Sequence, residues 1–215
     1  MSSQVLRVNR IMAPIRVLGP GSRIVIWTQG CPLACPGCAS QDTWDPSGGT
    51  EIAIKTLAKL LVETIKTQHL DGLTITGGEP TEQAAELSWL LELLSAECPD
   101  VDILLFTGRS WKAASSKARK LLRQVNCVVS GPYKQELPPA SRLQITNNQE
   151  IHYRDPHVRI KYEEWMLNED IPELEVSIYN HDIFLVGMPQ AGSLSLYQEQ
   201  LAEHGISVEE VTWSK

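Results

Sequence analysis

Three cysteines lie within eight positions of one another, in the segment Cys31-Pro-Leu-Ala-Cys35-Pro-Gly-Cys38. The apolar run from Ile24 to Thr28 ends just before them, so we expect the cysteines on a loop at the carboxyl edge of a sheet, where α/β proteins place their chemistry. A closed zinc site or a ferredoxin cluster uses four protein ligands. Three thiolates leave one iron of a 4Fe-4S cluster without a protein ligand, and a substrate-binding metal centre needs such an open position. The spacing therefore favours a catalytic cluster.

Two alternatives remain open from the cysteine loop alone. The first is a structural zinc site completed by Cys98, Cys127 or His152, and the second is a non-enzymatic iron-sulfur electron carrier. Cys98 follows the apolar stripe of a helix and Cys127 lies inside a strand, so we predict both as core residues. An odd count of five cysteines, three of them clustered, indicates metal ligation in a reducing compartment.

A second candidate segment, Gly77-Gly78-Glu79-Pro80, follows the short apolar run from Leu73 to Thr76. It combines flexible backbone with one carboxylate at the end of the next predicted strand. That carboxylate could pair with the ammonium group of a ligand beside the cysteine loop.

These loops need a sheet to position them, and the chain alternates between strand and helix patterns. We predict a parallel sheet with helices outside it. The predicted strands are 24–28, 73–76, 102–107 and 126–130. Three helices are predicted. The first is 51–66, the second begins at a cap by Thr81 and has a stripe of leucines at 87–94, and the third is a basic helix at 110–123. The basic helix is interpreted as a solvated face, with a docking surface for an acidic partner as the alternative.

After Pro132 the pattern is weaker, and 139–180 is the most ambiguous part. We predict strands at 175–179, 182–188 and 206–213, and a helix at 193–204.

Composition limits the classes of function. The chain has 215 residues, which suits one domain, and its formal net charge of −7 disfavours nucleic acid as a partner. The first residues do not form a secretory signal, and no stretch approaches the roughly 18 apolar residues of a membrane span. We expect a cytoplasmic protein with no membrane association.

The stretch GPGSRIVIWTQGCPLACPGCASQDTWD, beginning at Gly19, resembles the radical S-adenosylmethionine enzymes, and within them the activase of the anaerobic ribonucleotide reductase. Phe106-Thr107-Gly108, Val129-Ser130-Gly131-Pro132-Tyr133 and Asn148-Gln149 resemble later motifs of that activating-enzyme branch. The similarity covers roughly residues 5–155. It implies a partial (β/α) barrel of parallel strands with outer helices in a single domain, with a radical core at 1–155 and a C-terminal extension at 156–215.

The resemblance also implies the cofactors and their contacts. Cys31, Cys35 and Cys38 would hold a 4Fe-4S cluster, and S-adenosylmethionine would chelate the fourth iron. Gly77, Gly78 and Glu79 would line the methionine ammonium, and Pro80 of the same turn would also bind the cofactor. Thr107 and Ser130 would face the other side of the cofactor. An electron from a flavodoxin or ferredoxin-type donor would generate a radical that abstracts hydrogen from a polypeptide, and no catalytic side chain is expected beyond the cofactor.

Several positions depart from the activase pattern. Relatives carry aspartates where this chain has Asn126 and Ser130, the second associated with a monovalent cation, and Ala39-Ser40-Gln41 replaces an aromatic residue and an asparagine. With the additional residues 156–215, these departures favour a second reading, a peptide maturase or splicease that modifies a ribosomally made precursor with a separate recognition protein. We rank activase and maturase nearly equal. Only Cys98 and Cys127 remain for an auxiliary 4Fe-4S cluster, which excludes one.

Overall fold

The computed structural model describes residues 4–179, 182–188, 193–207 and 211–212. The strands of the main sheet are β1 (Val5–Ile15), β2 (Arg23–Thr28), β3 (Thr50–Ala53), β4 (Gly72–Gly77), β5 (Asp102–Thr107), β6 (Cys127–Ser130) and β7 (Glu150–Tyr153). The helices are α1 (Ile54–Gln68), α2 (Ala84–Glu97), α3 (Trp111–Lys117), α4 (Arg119–Leu122), α5 (Pro156–Met166) and α6 (Ser193–Glu203). A separate hairpin consists of β8 (Leu174–Tyr179) and β9 (Asp182–Gly187).

The main sheet is mixed, with strand order β3-β1-β2-β4-β5-β6-β7. The four strands β2, β4, β5 and β6 are parallel, which confirms the predicted α/β class and these strands to within about two residues at their ends. The prediction of an entirely parallel sheet is wrong at its margins, because β1, β3 and β7 pair antiparallel and were not predicted.

The parallel register aligns the carboxyl ends of the strands. Thr28 pairs with Gly77 across β2 and β4, and Thr107 pairs with Ser130 across β5 and β6. The loops that follow these strands therefore leave the same edge of the sheet, which is the edge that carries the cysteine loop and the Gly77-Gly78-Glu79-Pro80 turn.

Alternation along the strands divides the core between the two faces of the sheet. Ile24 and Ile26 of β2 belong to a cluster that includes the leucines of α1 and α2. Val25 and Trp27 point the other way and pack in a cluster with Val186 of β9. Helices α1 and α2 thus cover one face, and the C-terminal part of the chain contributes to the other.

The structure corrects two helix predictions. Thr81 does not cap a long helix: it lies in a short 3₁₀ turn from Pro80 to Gln83 that Glu79 caps, and α2 begins at Ala84. The predicted basic helix is interrupted at Ala118, where α3 ends and α4 begins. Half of the predicted strand at 206–213 lies outside the described residues, and its described positions, 206–207 and 211–212, are not in a strand.

The ambiguous segment 139–180 contains β7, α5 and β8. Asp155 caps α5 by accepting hydrogen bonds from the backbone N–H groups of His157 and Val158, and the buried side chains Val158, Tyr162 and Trp165 follow at helical spacing. They pack in a cluster with Leu104, Cys127 and Val129, on the face of the sheet opposite α1 and α2. Within the described residues, no helix is long and apolar enough to cross a membrane.

Candidate active site

The three loop cysteines are partly exposed thiols with backbone N–H groups directed at them. Burial raises the pKa of the Cys31 thiol, while hydrogen bonds from the backbone of Leu33 and Ala34 oppose this rise. Burial also raises the pKa of the Cys35 thiol, and the nearby charge of Cys38 adds to this rise. A hydrogen bond from the backbone of Tyr133 opposes it. The backbone N–H of Ser40 donates to the sulfur of Cys38 at 3.4 Å. Such donors stabilise thiolates, so the donor set fits an iron-sulfur cluster held by three cysteines.

The Gly77-Gly78-Glu79-Pro80 turn lies directly against the residue that precedes the cysteines. The backbone N–H of Glu79 donates to the carbonyl oxygen of Gly30 at 2.9 Å. A Cβ atom at Gly78 would collide with that same carbonyl, and Gly77 has a φ of +105°, which favours glycine. The two predicted loops are therefore in contact, and glycine at 77 and 78 allows it.

The carboxylate of Glu79 is almost fully buried, at 1 % exposure, and the protein itself supplies its hydrogen-bond donors. One oxygen accepts from the backbone N–H of Thr81 and from the hydroxyls of Thr81 and Thr107, at 3.0, 2.6 and 2.7 Å. The other accepts from the backbone N–H of Gly108 at 2.9 Å. Glu79 thus joins the ends of β4 and β5, and Thr107 is brought to Glu79 as its hydrogen-bond partner.

Ser130 lies at the same edge, and its hydroxyl is 3.0 Å from Nε2 of His152, which the sequence offered only as a ligand of the zinc alternative. The imidazole stacks on Trp111 with ring centroids 3.9 Å apart and lies 3.3 Å from a carboxylate oxygen of Glu150. Burial lowers the pKa of His152, although Glu150 opposes this effect. Asn126, the other departure from the activase pattern, lies at the amino end of β6 and accepts a hydrogen bond from the backbone N–H of Ile103.

Two glutamines that support the cysteine loop were not predicted as site residues. The Gln29 amide donates to the carbonyl oxygens of Asp42 and Asp45, closing the segment that contains the cysteines. The Gln83 amide donates to the carbonyl oxygens of Arg7 and Gln29. The sequence signal for Gln29 is its position between β2 and the cysteines, whereas Gln83 carries no local signal because its partners are distant along the chain.

The basic segment 109–123 is solvated, as interpreted, but several of its basic side chains have acidic partners. Arg109 and Lys117 both pair with Glu82, and Lys120 pairs with Glu92 at 2.7 Å. Burial works against ionisation of Glu82, but its hydrogen bonds to Lys117 and Arg109 keep its pKa below the ordinary value.

The structure does not bring the fourth ligands of the zinc alternative to the loop. Cys98 is buried with the leucines of α2, Cys127 is buried in the core on the other face of the sheet, and His152 is engaged by Ser130 and Trp111. In the described ranges, no three His, Cys, Asp or Glu side chains converge as one metal ion requires. A 4Fe-4S cluster makes a different demand, because each cysteine binds its own iron.

Comparison with known proteins identifies the family. Residues 17–152 match the family described as a 4Fe-4S single cluster domain. The anaerobic ribonucleoside-triphosphate reductase-activating protein of Enterobacteria phage T4 is 32% identical over 148 residues, which are 68% of this chain and 93% of the relative. The protein of the same name from Vibrio cholerae is 36% identical over 148 residues, which are 65% of this chain and 93% of the relative. The one from Escherichia coli K12 is 26% identical over 142 residues, 64% and 92% of the two chains.

These matches cover most of each relative but about two thirds of this chain, so this chain carries additional residues. They imply one 4Fe-4S cluster and S-adenosylmethionine as cofactors. The chain therefore belongs to the 4Fe-4S single cluster domain family and, within it, to the radical S-adenosylmethionine enzymes of the activating type.

Proposed function

We propose that this protein uses S-adenosylmethionine and a 4Fe-4S cluster to abstract a hydrogen atom from a glycine residue of a polypeptide, as a glycyl-radical activase. When bound, the cluster supplies one electron that cleaves S-adenosylmethionine to methionine and a 5′-deoxyadenosyl radical. The protein's own contribution is to bind and orient the cofactor and to place one C–H bond beside it.

The proposed roles follow the carboxyl edge of the sheet, which in this proposal curves into a partial barrel. Cys31, Cys35 and Cys38 hold the cluster. The backbone of Gly77 to Pro80 borders the methionine ammonium, with the buried negative charge of Glu79 behind it favouring a cation there. Thr107 and Ser130 border the other side of the cofactor.

The observation that carries the proposal is the contact between the glycine-rich turn and the cysteine loop. The bond from Glu79 N–H to Gly30 oxygen fixes the turn beside the residue that leads into Cys31. An amino-acid ligand on the iron that lacks a cysteine would meet this turn. A structural metal site does not require a fixed distance between its loop and a neighbouring strand end. A cofactor that is held by both loops does require one.

A polypeptide substrate is proposed because the relatives are named as proteins that activate a reductase. Glu82 pairs with Arg109 and Lys117, whereas Lys112 of α3 and Arg119 of α4 are exposed. An acidic flavodoxin or ferredoxin is the electron donor that suits these exposed positive charges. A precursor peptide presented by a separate recognition protein is the second candidate substrate, because Ser130 and Ala39-Ser40-Gln41 depart from the activase pattern.

The test is anaerobic reconstitution followed by reduction with S-adenosylmethionine. We expect four irons per chain, release of 5′-deoxyadenosine, and, with the anaerobic reductase of the same organism, a glycyl radical detected by electron paramagnetic resonance. The variant Cys38→Ala is the matched negative control. Zinc in place of iron, or reversible reduction without nucleoside release, would contradict the enzyme.

The two polypeptide substrates give different products. A stable glycyl radical with an unchanged polypeptide mass supports the activase. A changed mass of a candidate precursor peptide, incubated together with a candidate recognition protein, supports the maturase instead. Turnover of a free small molecule with neither polypeptide reacting would contradict both.

A further inference from the structure

The residue after the cysteine motif makes a hydrogen bond that bears on the third thiolate. Ser40 donates its backbone N–H to the sulfur of Cys38 at 3.4 Å. Hydrogen bonds to the sulfurs are among the factors that set the reduction potential of an iron-sulfur cluster, because they stabilise the more negative, reduced state. The orientation of this one N–H group therefore affects how easily the cluster accepts an electron.

Thr212, close to the C-terminus, holds the peptide unit to which that N–H belongs. Its hydroxyl donates to the carbonyl oxygen of Ala39 at 2.8 Å. The carbonyl of Ala39 and the N–H of Ser40 are the two polar groups of one planar peptide bond, pointing in opposite directions. Fixing the oxygen therefore aims the hydrogen at Cys38.

A second bond closes the arrangement. The backbone N–H of Gln41 donates to the carbonyl oxygen of Thr212 at 3.2 Å. Thr212 thus forms hydrogen bonds to the residues on both sides of Ser40. A continuous series runs from the Thr212 hydroxyl through the Ala39–Ser40 peptide to the Cys38 sulfur, and hydrogen bonds in series polarise and strengthen one another.

We propose that Thr212 is a positioning residue for the cluster, which raises its reduction potential by orienting the Ser40 N–H toward the Cys38 thiolate. The inference rests on the proposed cluster and not on the identity of the polypeptide substrate. Thr212 lies well beyond residue 152, where the family match ends, so the additional C-terminal chain supplies this control. It contacts the Ala39-Ser40-Gln41 segment that departs from the activase pattern.

The test compares the midpoint potential of the reconstituted full-length protein with that of Thr212→Val, which keeps the shape of the side chain and removes the hydroxyl. We expect the equilibrium constant for reduction to fall about threefold to tenfold, which is a shift of roughly 28 to 59 mV to more negative potential at about 59 mV per factor of ten. Thr212→Ser retains the hydroxyl and should restore the original value. Thr64→Val is the matched control, because the hydroxyl of Thr64 donates to the carbonyl oxygen of Leu60 within α1, outside the cysteine loop.

A second measurement separates positioning from a general loss of structure. The exchangeable Ser40 proton near Cys38 should give a hyperfine coupling in the reduced cluster that disappears in D₂O and weakens in Thr212→Val. An unchanged potential and coupling in Thr212→Val at full iron content overturn this inference and leave the proposed function intact. A wild-type protein that assembles no cluster overturns both.

Discussion

Each of the three loop thiols receives backbone N–H groups, and this supports a test at the level of single cysteines. We expect Cys31→Ala, Cys35→Ala and Cys38→Ala each to lose the 4Fe-4S cluster, because only this loop offers three thiols together. Cys98→Ala should retain it, since Cys98 is buried with the leucines of α2. Iron and sulfide analysis after anaerobic reconstitution measures the outcome. Loss of iron in Cys98→Ala would contradict the assignment.

Glu79 gives the second prediction, because its buried carboxylate accepts four hydrogen bonds from two strand ends. Glu79→Ala leaves the Gly108 N–H and the Thr107 hydroxyl without this partner, and we expect a loss of about 2 to 4 kcal/mol in the free energy of unfolding. We also expect slower formation of 5′-deoxyadenosine with the cluster retained.

Thermal unfolding and nucleoside release measure the two effects of Glu79→Ala. Glu97→Ala is the matched control, because the Glu97 carboxylate is exposed and pairs with the exposed ammonium group of Lys66. Equal stability of the Glu79 and Glu97 variants would contradict a stabilising contribution from the hydrogen bonds of Glu79.

At this scale the sequence predicted that the cysteine loop and the Gly77 to Pro80 turn lie together at one sheet edge, but it did not predict what these residues contact. The cysteine spacing and Gly77 to Pro80 are local signals. The partners of Glu79 come from the following strand, Ser130 meets His152 across an antiparallel pair, and Thr212 reaches Ala39 over 173 positions. Such contacts depend on sheet register and chain path, which residue spacing does not encode.

Among the elements, helix α5 offers a prediction about pH. Asp155 caps it, and hydrogen bonds from the backbone N–H groups of Val158 and His157 hold the pKa of this carboxyl below its ordinary value of 3.8. A depressed folded-state pKa contributes stability above the unfolded-state value, and this contribution is lost as pH falls through the folded-state value. Asp155→Asn keeps the cap without the charge.

We therefore expect wild type to lose stability more steeply than Asp155→Asn below about pH 4, and the two to differ little in pH dependence between pH 6 and 8. Asp155→Ala, which lacks a cap, should be less stable than both across the neutral range. Thermal unfolding measured at several pH values tests this. Parallel pH profiles for wild type and Asp155→Asn would contradict the role of the charge.

The elements that the sequence predicted well are the buried ones. Strands β2, β4, β5 and β6 are short runs of apolar, β-branched residues, buried along most of their length. The margins β1, β3 and β7 were missed because they are only partly buried and alternate weakly. The break at Ala118 was missed because basic side chains continue across it, and helix propensity alone does not mark the interruption.

For the whole molecule, helix α5 packs against the edge of the sheet opposite the candidate site. The guanidinium of Arg23 is fully buried and pairs with Asp102 at 2.9 Å, and the Tyr162 hydroxyl donates to the same carboxylate oxygen at 2.5 Å. Breaking such a buried pair is costly because it leaves an uncompensated charge. Helix α5 is thus tied to β2 and β5 by polar as well as apolar contacts.

This arrangement leads to a prediction about residues 1–155, which the sequence suggested as a core with 156–215 as an extension. Tyr162 and Trp165 are buried against the sheet, and removing each aromatic side chain costs about 3 to 5 kcal/mol, so together they contribute about as much as the 5 to 15 kcal/mol that stabilises a typical domain. Although the family match ends at residue 152, we expect a chain ending at Asp155 not to unfold cooperatively. A chain ending at Ser207 keeps α5, β8 and β9. It should fold and should assemble the cluster at the more negative reduction potential expected without Thr212.

Thermal unfolding, iron content and redox titration of the two truncated chains test these expectations. A cooperative unfolding transition in the shorter chain would show that residues 156–215 are an accessory segment and not part of the core.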